Sequence, residues 1–379
     1  MNTKISEKQV RKISQSNPDK AIMPGPAYFI ILTVTIILLV SFTIAFFAVF
    51  AKQSAGNNVN DDFQGNSPSS NLTPNSPSSN TSQKPNSIIG GGVSIGGNSV
   101  GKTVPKRSSY ISSVSSSVAN LGDQIRSDNV ILIDLDTYQS IAEKSADTQI
   151  YPASMTKVMS LLVACENLKS LKTKLTVTKE ITDYAQQMGG SGIGLKVGDE
   201  LTTQDLLYLT AYSSDTVAVI MLANHVAGSE ANFVAKMNEK ARALKLSNTH
   251  FDNCTGLYSE NNYTTCREMA AIMAYALEHP LCRELLTSYN AYSVAGKYTI
   301  YSSWYSGRFN NNPRLRTVTV KGGKTGYIDE SGFCLVSYAE GKSSGKRYIQ
   351  VIVGEPKGSG LTEELSVKDI KYVYDNYAN

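Results

Sequence analysis

With 379 residues, 41% of them hydrophobic and 18% charged, the chain can hold two or three domains, or one large domain with appendages. A net charge of +4 is too small to argue for nucleic acid, and no lysine or arginine stripe alternates with aromatics. Nucleic-acid binding is therefore excluded.

Residues 1–26 form a basic tail carrying Lys4, Lys8, Arg11, Lys12 and Lys20. From Ala27 to Ala51, "AYFIILTVTIILLVSFTIAFFAVFA" runs 25 residues without a charge, enough to cross a bilayer as a helix. A core helix is not apolar on every face over such a length. A cleaved signal peptide has a shorter apolar region ending in a small-x-small site, which Val49-Phe50-Ala51 matches poorly. Residues 27–51 are accordingly read as an uncleaved, single-pass membrane anchor. The basic residues before it, against Lys52 almost alone after it, keep the N-terminus in the cytoplasm and send everything downstream outside.

Residues 52–107 are Ser, Asn, Gly and Pro with almost no large apolar side chain, and "NSPSSN" occurs at 66–71 and again at 75–80. Such a tract cannot bury enough apolar surface to offset its ordering entropy, so a disordered linker is expected, with an r.m.s. reach of roughly 40 Å.

Residues 108–379 read as one folded domain. "VILIDLDTYQSIAEK" (130–144) suggests two short strands around an Asp136-Thr137 turn. Pro152 precedes an apolar-rich helix from about Ser154 to Leu168. The middle is helical in period, with Thr202 or Thr203 as the cap of "TTQDLLYLTAYSSDTVAVIMLANHVA" and two further helical stretches, "SEANFVAKMNEKARALKL" and "TTCREMAAIMAYALEH". "RTVTVKGGKTG", "GFCLVSYAE" and "RYIQVIVGE" then read as adjacent antiparallel strands, and "TEELSVKDIKYVYDNY" as a closing helix. Strands at both ends with helices between them predict an α+β fold, an antiparallel sheet flanked by helices with an inserted helical lobe.

Ser-x-x-Lys occurs three times, at Ser99–Lys102, Ser154–Lys157 and Ser343–Lys346. The first falls in the linker, as does a G-x-S-x-G at Gly92–Gly96, and the third in a polar turn between strands. Only Ser154–Lys157 begins a helix, where residues three apart share a face and the dipole favours negative charge at the N-terminus. Lys157 can act as a base only when neutral, which requires burial or a second cation nearby. Lys324 in "GGKTGY" (322–327) is the candidate cation, on a strand whose glycines let another backbone approach. "AYSSDT" (211–216) interrupts the helical region with hydroxyls that could face a cleft.

Taken in order, these elements resemble the penicillin-binding and serine β-lactamase superfamily, and most closely the low-molecular-mass serine-type D-alanyl-D-alanine carboxypeptidases. The likeness covers nearly all of 128–356, including "ADTQIYPASMTKVMSLLVACE", "GIGLKVGDELTTQDLLYLTAYSSDTVAVIMLANHVAGSE", "MNEKARALKLSNTHFDNCTGL" and "GGKTGYIDESGFCLVSYAE". It implies that Ser154 is the acylated nucleophile and Lys157 its general base. Lys324 would keep Lys157 neutral and, with Thr325, Gly326 and Tyr327, seat the substrate. The N–H groups of Ser154 and Tyr327 would form the oxyanion hole. Peptidoglycan stem peptides ending in D-Ala-D-Ala are the implied substrates, and β-lactams the implied covalent inhibitors.

The middle motif departs from the resemblance. The family has Ser-x-Asn followed by Asp, and anchoring on Asp215 gives Tyr212-Ser213-Ser214, with Tyr212 as the proton-shuttling hydroxyl and Ser214 where the amide belongs. A slipped alignment, with Ser213 or Ser214 as the hydroxyl residue, gives up the Asp215 match. A second departure is the absence of an arginine before the last helix, where only Lys357 is basic. A catalytically weak, peptide-binding or β-lactam-sensing domain is the alternative that Tyr-Ser-Ser allows. A β-lactamase would need a placed deacylating glutamate, and no Glu-x-x-x-Asn loop stands between the second and third motifs.

No cofactor or metal is expected, since no H-E-x-x-H or paired ligand spacing occurs. Five cysteines, none in a C-x-x-C pair, argue against a zinc site or disulfide framework. They read as small buried apolar residues, with a Cys254–Cys266 bridge the one pairing left open.

Overall fold

A computed structural model describes residues 108–303, 315–354 and 362–378. The expected anchor at 27–51, the linker at 52–107 with its two motifs, and Lys357 lie outside the described residues. Strands β1 (Ser113–Asn120), β2 (Asn129–Asp134) and β3 (Gln139–Lys144) come first. A tight helical turn at Ala153–Thr156 leads into α1 (Lys157–Asn167). β4 (Lys174–Thr176), α2 (Lys179–Gln187) and β5 (Glu200–Thr202) follow. Next come α3 (Thr203–Tyr212), α4 (Thr216–Ala227) and α5 (Glu230–Ala243). Beyond a loop, α6 (Cys266–Glu278) and α7 (Pro280–Thr287) precede a small hairpin of β6 (Tyr292–Val294) and β7 (Tyr298–Ile300). The chain closes with β8 (Val318–Ile328), β9 (Gly332–Gly341), β10 (Arg347–Val353) and α8 (Thr362–Tyr377).

Six strands form one sheet in the order β1-β3-β2-β10-β9-β8. The sheet is mixed rather than wholly antiparallel, because β1 runs parallel to β3 while the other pairs are antiparallel. The serine-rich "SVSSSVAN", largely exposed and with a bulge between Val114 and Ala119, has no apolar alternation that would mark it as a strand at all, so its parallel pairing is not legible in the sequence.

The central strands alternate between two cores, as a period of two requires. Ile131, Ile133, Ile349 and Val351 point into the core shared with the helical layer, among Met269, Ile272 and Met273 of α6. Val130, Leu132, Tyr348 and Ile352 point the other way, against Ile370, Val373 and Tyr374 of α8. All six residues of β2 are buried, as expected of a strand covered on both faces. In the helical layer, α1 is buried from Lys157 to Cys165, the mark of a helix surrounded by others.

Local signals set the boundaries. Thr202 caps α3 through a reciprocal box, its hydroxyl accepting from the Asp205 N–H and its own N–H donating to the Asp205 carboxylate. The helical stretch at 203–227 breaks into α3 and α4 at Ser213-Ser214, where Ser214 takes φ +55° and Asp215 caps the new helix. All five cysteines are buried and free, so the Cys254–Cys266 bridge is not formed.

Arg267, in the first turn of α6, fastens the helical layer to the sheet edge. It donates to Glu143 at 2.8 and 2.9 Å, to Asp147 at 2.7 and 2.8 Å, and to the hydroxyls of Ser112 and Ser140. Removing one partner of a buried ion pair costs about 3–5 kcal/mol. Because Asp147 is itself exposed, Arg267→Ala should lower stability by about 3 kcal/mol, the low end of that range, read as the shift in urea midpoint at unchanged m-value.

Candidate active site

The sequence around the nucleophile candidate folds into an elbow. Pro152 ends the preceding extended segment, Ala153 takes φ +48°, and a single tight turn at Ala153–Thr156 hands over to α1 at Lys157. Ser154 therefore sits on the turn ahead of the α-helix rather than within it. Its side chain is half-buried while Lys157 below it is 2% exposed. Lys157 Nζ lies 3.1 Å from Ser154 Oγ and donates to the Thr255 carbonyl at 2.6 Å. Burial lowers the Lys157 pKa to about 8, against the opposing pull of Cys254 and Asp215. Burial, the first of the two causes open to the sequence, thus brings the amine toward neutrality without making the neutral form the major one at pH 7.

A loop holds the Thr255 carbonyl in place. Asn253 Oδ1 accepts from the N–H groups of Thr255 and Gly256 at 3.1 and 2.7 Å and from the Thr255 hydroxyl at 2.9 Å, and Asn253 Nδ2 donates to Leu257 O. Gly256 has φ +78°, and a Cβ there would collide with the Ala153 carbonyl. Only glycine permits that approach. Asn253 and Gly256 carry the elbow without touching the reactive atoms, and "NCTGL" offers no local pattern that announces it.

Strand β8 brings the third motif to the same place. A Cβ on Gly326 would lie 3.0 Å from Ser154 N, so the strand backbone passes directly against the elbow. Lys324, 1% exposed, donates to Ser214 Oγ at 3.1 Å and to the Thr325 carbonyl at 3.0 Å. Thr325 Oγ1 is 3.2 Å from Ser303 Oγ. Tyr327 is exposed, its ring against Phe333 and its hydroxyl donating to Asp329.

A cleft of about 510 Å³ gathers Ser154, Lys157, Ser214, Thr216, Thr325, Gly326 and Tyr327, walled further by Gly189, Ser191, Gly256, Leu257, Ser303 and Ile328. Tyr212 is not among them. It is 1% exposed, packs edge-on against Tyr208 at 5.3 Å, and shares a hydrogen bond with Ser288. Burial pushes its pKa up to about 12, opposed by that bond. Tyr212, expected as the proton-shuttling hydroxyl, thus stands outside the cleft, and Ser214 lines it. The helix break turns Tyr212 inward with α3 and turns Ser214, in the left-handed conformation, toward Lys324. Ser214 and Thr216 thus line the cleft on either side of the buried Asp215, as the slipped register with Ser214 as the hydroxyl residue would have it.

Elsewhere, ligand atoms of Cys165, His279 and Cys282 lie within 4.8 Å of one another in the core. His279 Nδ1 accepts the Cys282 N–H at 3.5 Å, and its buried Nε2 has no hydrogen-bond partner among the described residues.

The model of the D-alanyl-D-alanine carboxypeptidase family, peptidase S11, matches residues 114–357. The chain belongs to that family. D-alanyl-D-alanine carboxypeptidase DacF of Bacillus subtilis is 34% identical over 227 residues, 60% of this chain and 57% of the relative. D-alanyl-D-alanine carboxypeptidase DacA of Escherichia coli is 32% identical over 242 residues, 61% of this chain and 57% of the relative. The chain spans less than two thirds of the length of either. A point mutant of the Streptomyces K15 DD-transpeptidase is similar in structure with a TM-score of 0.58 at 26% identity, over 66% of this chain and 98% of that one. Penicillin binding protein 5 of Haemophilus influenzae shares the fold at a TM-score of 0.57 and 24% identity, over 67% and 72%. The mixed sheet with its helices is thus the fold of this family.

Proposed function

We propose that the chain is a membrane-anchored serine-type carboxypeptidase that removes the terminal D-Ala from peptidoglycan stem peptides through an acyl-enzyme. The observation that carries the reading is the Ser154 hydroxyl 3.1 Å from a buried amine whose pKa is about 8. Family membership supports the substrate class, and the charge-free span at 27–51 supports an anchor that keeps residues 108–379 outside the membrane.

In this reading the neutral Lys157 amine accepts the Oγ proton as Ser154 attacks the carbonyl between the two D-alanines. The N–H groups of Ser154 and Tyr327 receive the developing oxyanion. The Ser214 hydroxyl, polarised by Lys324, relays a proton to the departing amine. Lys324 and Thr325 seat the substrate's terminal carboxylate. Water then releases the shortened peptide, with Lys157 again as base. The contact from Lys324 to Ser214 supports an active enzyme over a silent wall-peptide sensor. No glutamate lines the cleft among the described residues, which favours persistent acylation by β-lactams over their hydrolysis.

The test is intact mass of the full chain in detergent after incubation with benzylpenicillin, beside Ser154→Ala. One penicillin added to the wild type alone supports the reading, to be followed by D-Ala release from a peptide ending in D-Ala-D-Ala. A folded wild type that gains no mass contradicts it. In the same assay Ser214→Ala should slow acylation on the order of 10²-fold, the lower range for a lost proton-transfer group, while Tyr212→Phe stays near wild type. The opposite ranking would return the shuttle to Tyr212.

A further inference from the structure

The seat for the substrate's terminal carboxylate holds one hydroxyl to which the mechanism gives no task. Among the described residues, Lys157 is the one cation lining the cleft, and it lies beneath Ser154. Lys324 is buried behind the wall, its amine donating to Ser214 Oγ and to the Thr325 carbonyl. The surface that meets a substrate beside Thr325 is therefore made of hydroxyls, and Ser303 supplies the unassigned one. Its Oγ is 3.2 Å from Thr325 Oγ1, so the two stand side by side in the same cleft.

Ser303 is delivered there by the β6–β7 hairpin, which is tied firmly to the helical layer. Val294 and Ile300 are buried in the core of that layer. The Tyr292 ring stacks on Tyr208 of α3 at 3.8 Å, and its hydroxyl donates to Asp205 at 3.1 Å. At the turn, Lys297 Nζ and the Tyr298 hydroxyl both donate to Asp199, at 2.6 and 2.8 Å. Ser302 is then buried, and Ser303 comes out on the cleft side. A hydroxyl carried on such a support holds its place before substrate arrives.

We propose that Ser303 is a substrate-binding residue, donating to the terminal carboxylate of the substrate beside Thr325. The inference rests on the peptidase reading and names a further contact of the same site. An ionised carboxylate only accepts hydrogen bonds, and each hydroxyl has one proton to give. Between Ser303 and Thr325 alone, one of the two protons is spent on the other hydroxyl. A carboxylate set against the pair takes both protons, one on each oxygen, and a neutral bond gives way to two charge-assisted ones. The Lys324 ammonium, held against the Thr325 carbonyl, favours an anion at this end of the cleft.

The test compares acylation of the full chain in detergent by benzylpenicillin and by its methyl ester, in the wild type, Ser303→Ala and Ser303→Thr. The ester removes the carboxylate charge and leaves the β-lactam ring intact. Ser303→Ala should lower the second-order rate with benzylpenicillin on the order of tenfold, the loss of one hydrogen bond to a charged group, and leave the ester rate near that of the wild type. Ser303→Thr keeps the hydroxyl and should match the wild type with both compounds. A ratio of the two rates that Ser303→Ala does not change overturns the proposal, and so do two rates that fall together, as a purely structural serine would have it. A wild type that neither compound acylates removes the peptidase reading, and calorimetric binding of an N-acylated D-Ala-D-Ala dipeptide then decides the seat. Weaker binding by Ser303→Ala supports it, and equal binding overturns it.

Discussion

An amine kept dry beneath a serine is the constraint on which the rest of this structure depends. Lys157 is 2% exposed, and burial brings its pKa from 10.5 to about 8. Because the folded value is lowered, the protonated amine is disfavoured in the fold. The stability deficit is about 3 kcal/mol. That deficit is fully present below pH 8 and fades as pH rises through the unfolded value of 10.5. A chain that only needed to fold would place leucine there. The apolar run of α1, the knotted Asn253–Leu257 loop and the Thr255 carbonyl all serve to hold a polar group where solvent cannot reach it.

The two layers of the fold divide the chemistry between them. The helical layer supplies Ser154, Lys157 and Ser214, and the sheet edge supplies Lys324, Thr325 and the backbone of β8. Neither layer holds a complete site, so the packing between them sets the reacting geometry. Two non-glycine residues in the left-handed region, Ala153 and Ser214, flank this junction. Such conformations cost about 1–3 kcal/mol each and persist only where surrounding structure enforces them. Here they aim one hydroxyl at Lys157 and the other at Lys324.

What the sequence made legible is what local chemistry encodes. The Ser-x-x-Lys spacing, the glycines beside Lys324, the Thr202 cap and the period-two strands at the C-terminal end each state their role within a few residues. The middle motif stays open in the sequence because the placement of its hydroxyls depends on a helix break. "TAYSSDT" reads equally well with Tyr212 or Ser214 as the reactive hydroxyl until Ser214 is seen to leave the helical conformation. Strand β1 was hidden by serines that give neither face an apolar claim. Asn253, Gly256 and Asp215 act through partners far away in sequence or through backbone bonds, and no short pattern marks them. The same holds for Arg267, whose partners lie more than a hundred residues upstream in a different layer.

The measurement that tests the central claim most directly is the pH dependence of benzylpenicillin acylation by the wild-type chain. If the neutral Lys157 amine is the base, the rate rises with pH as the amine loses its proton and levels off above a midpoint near 8. A rate that keeps rising toward pH 10.5, or one that is flat from pH 6 to 9, would show that burial does not prepare Lys157 for this task.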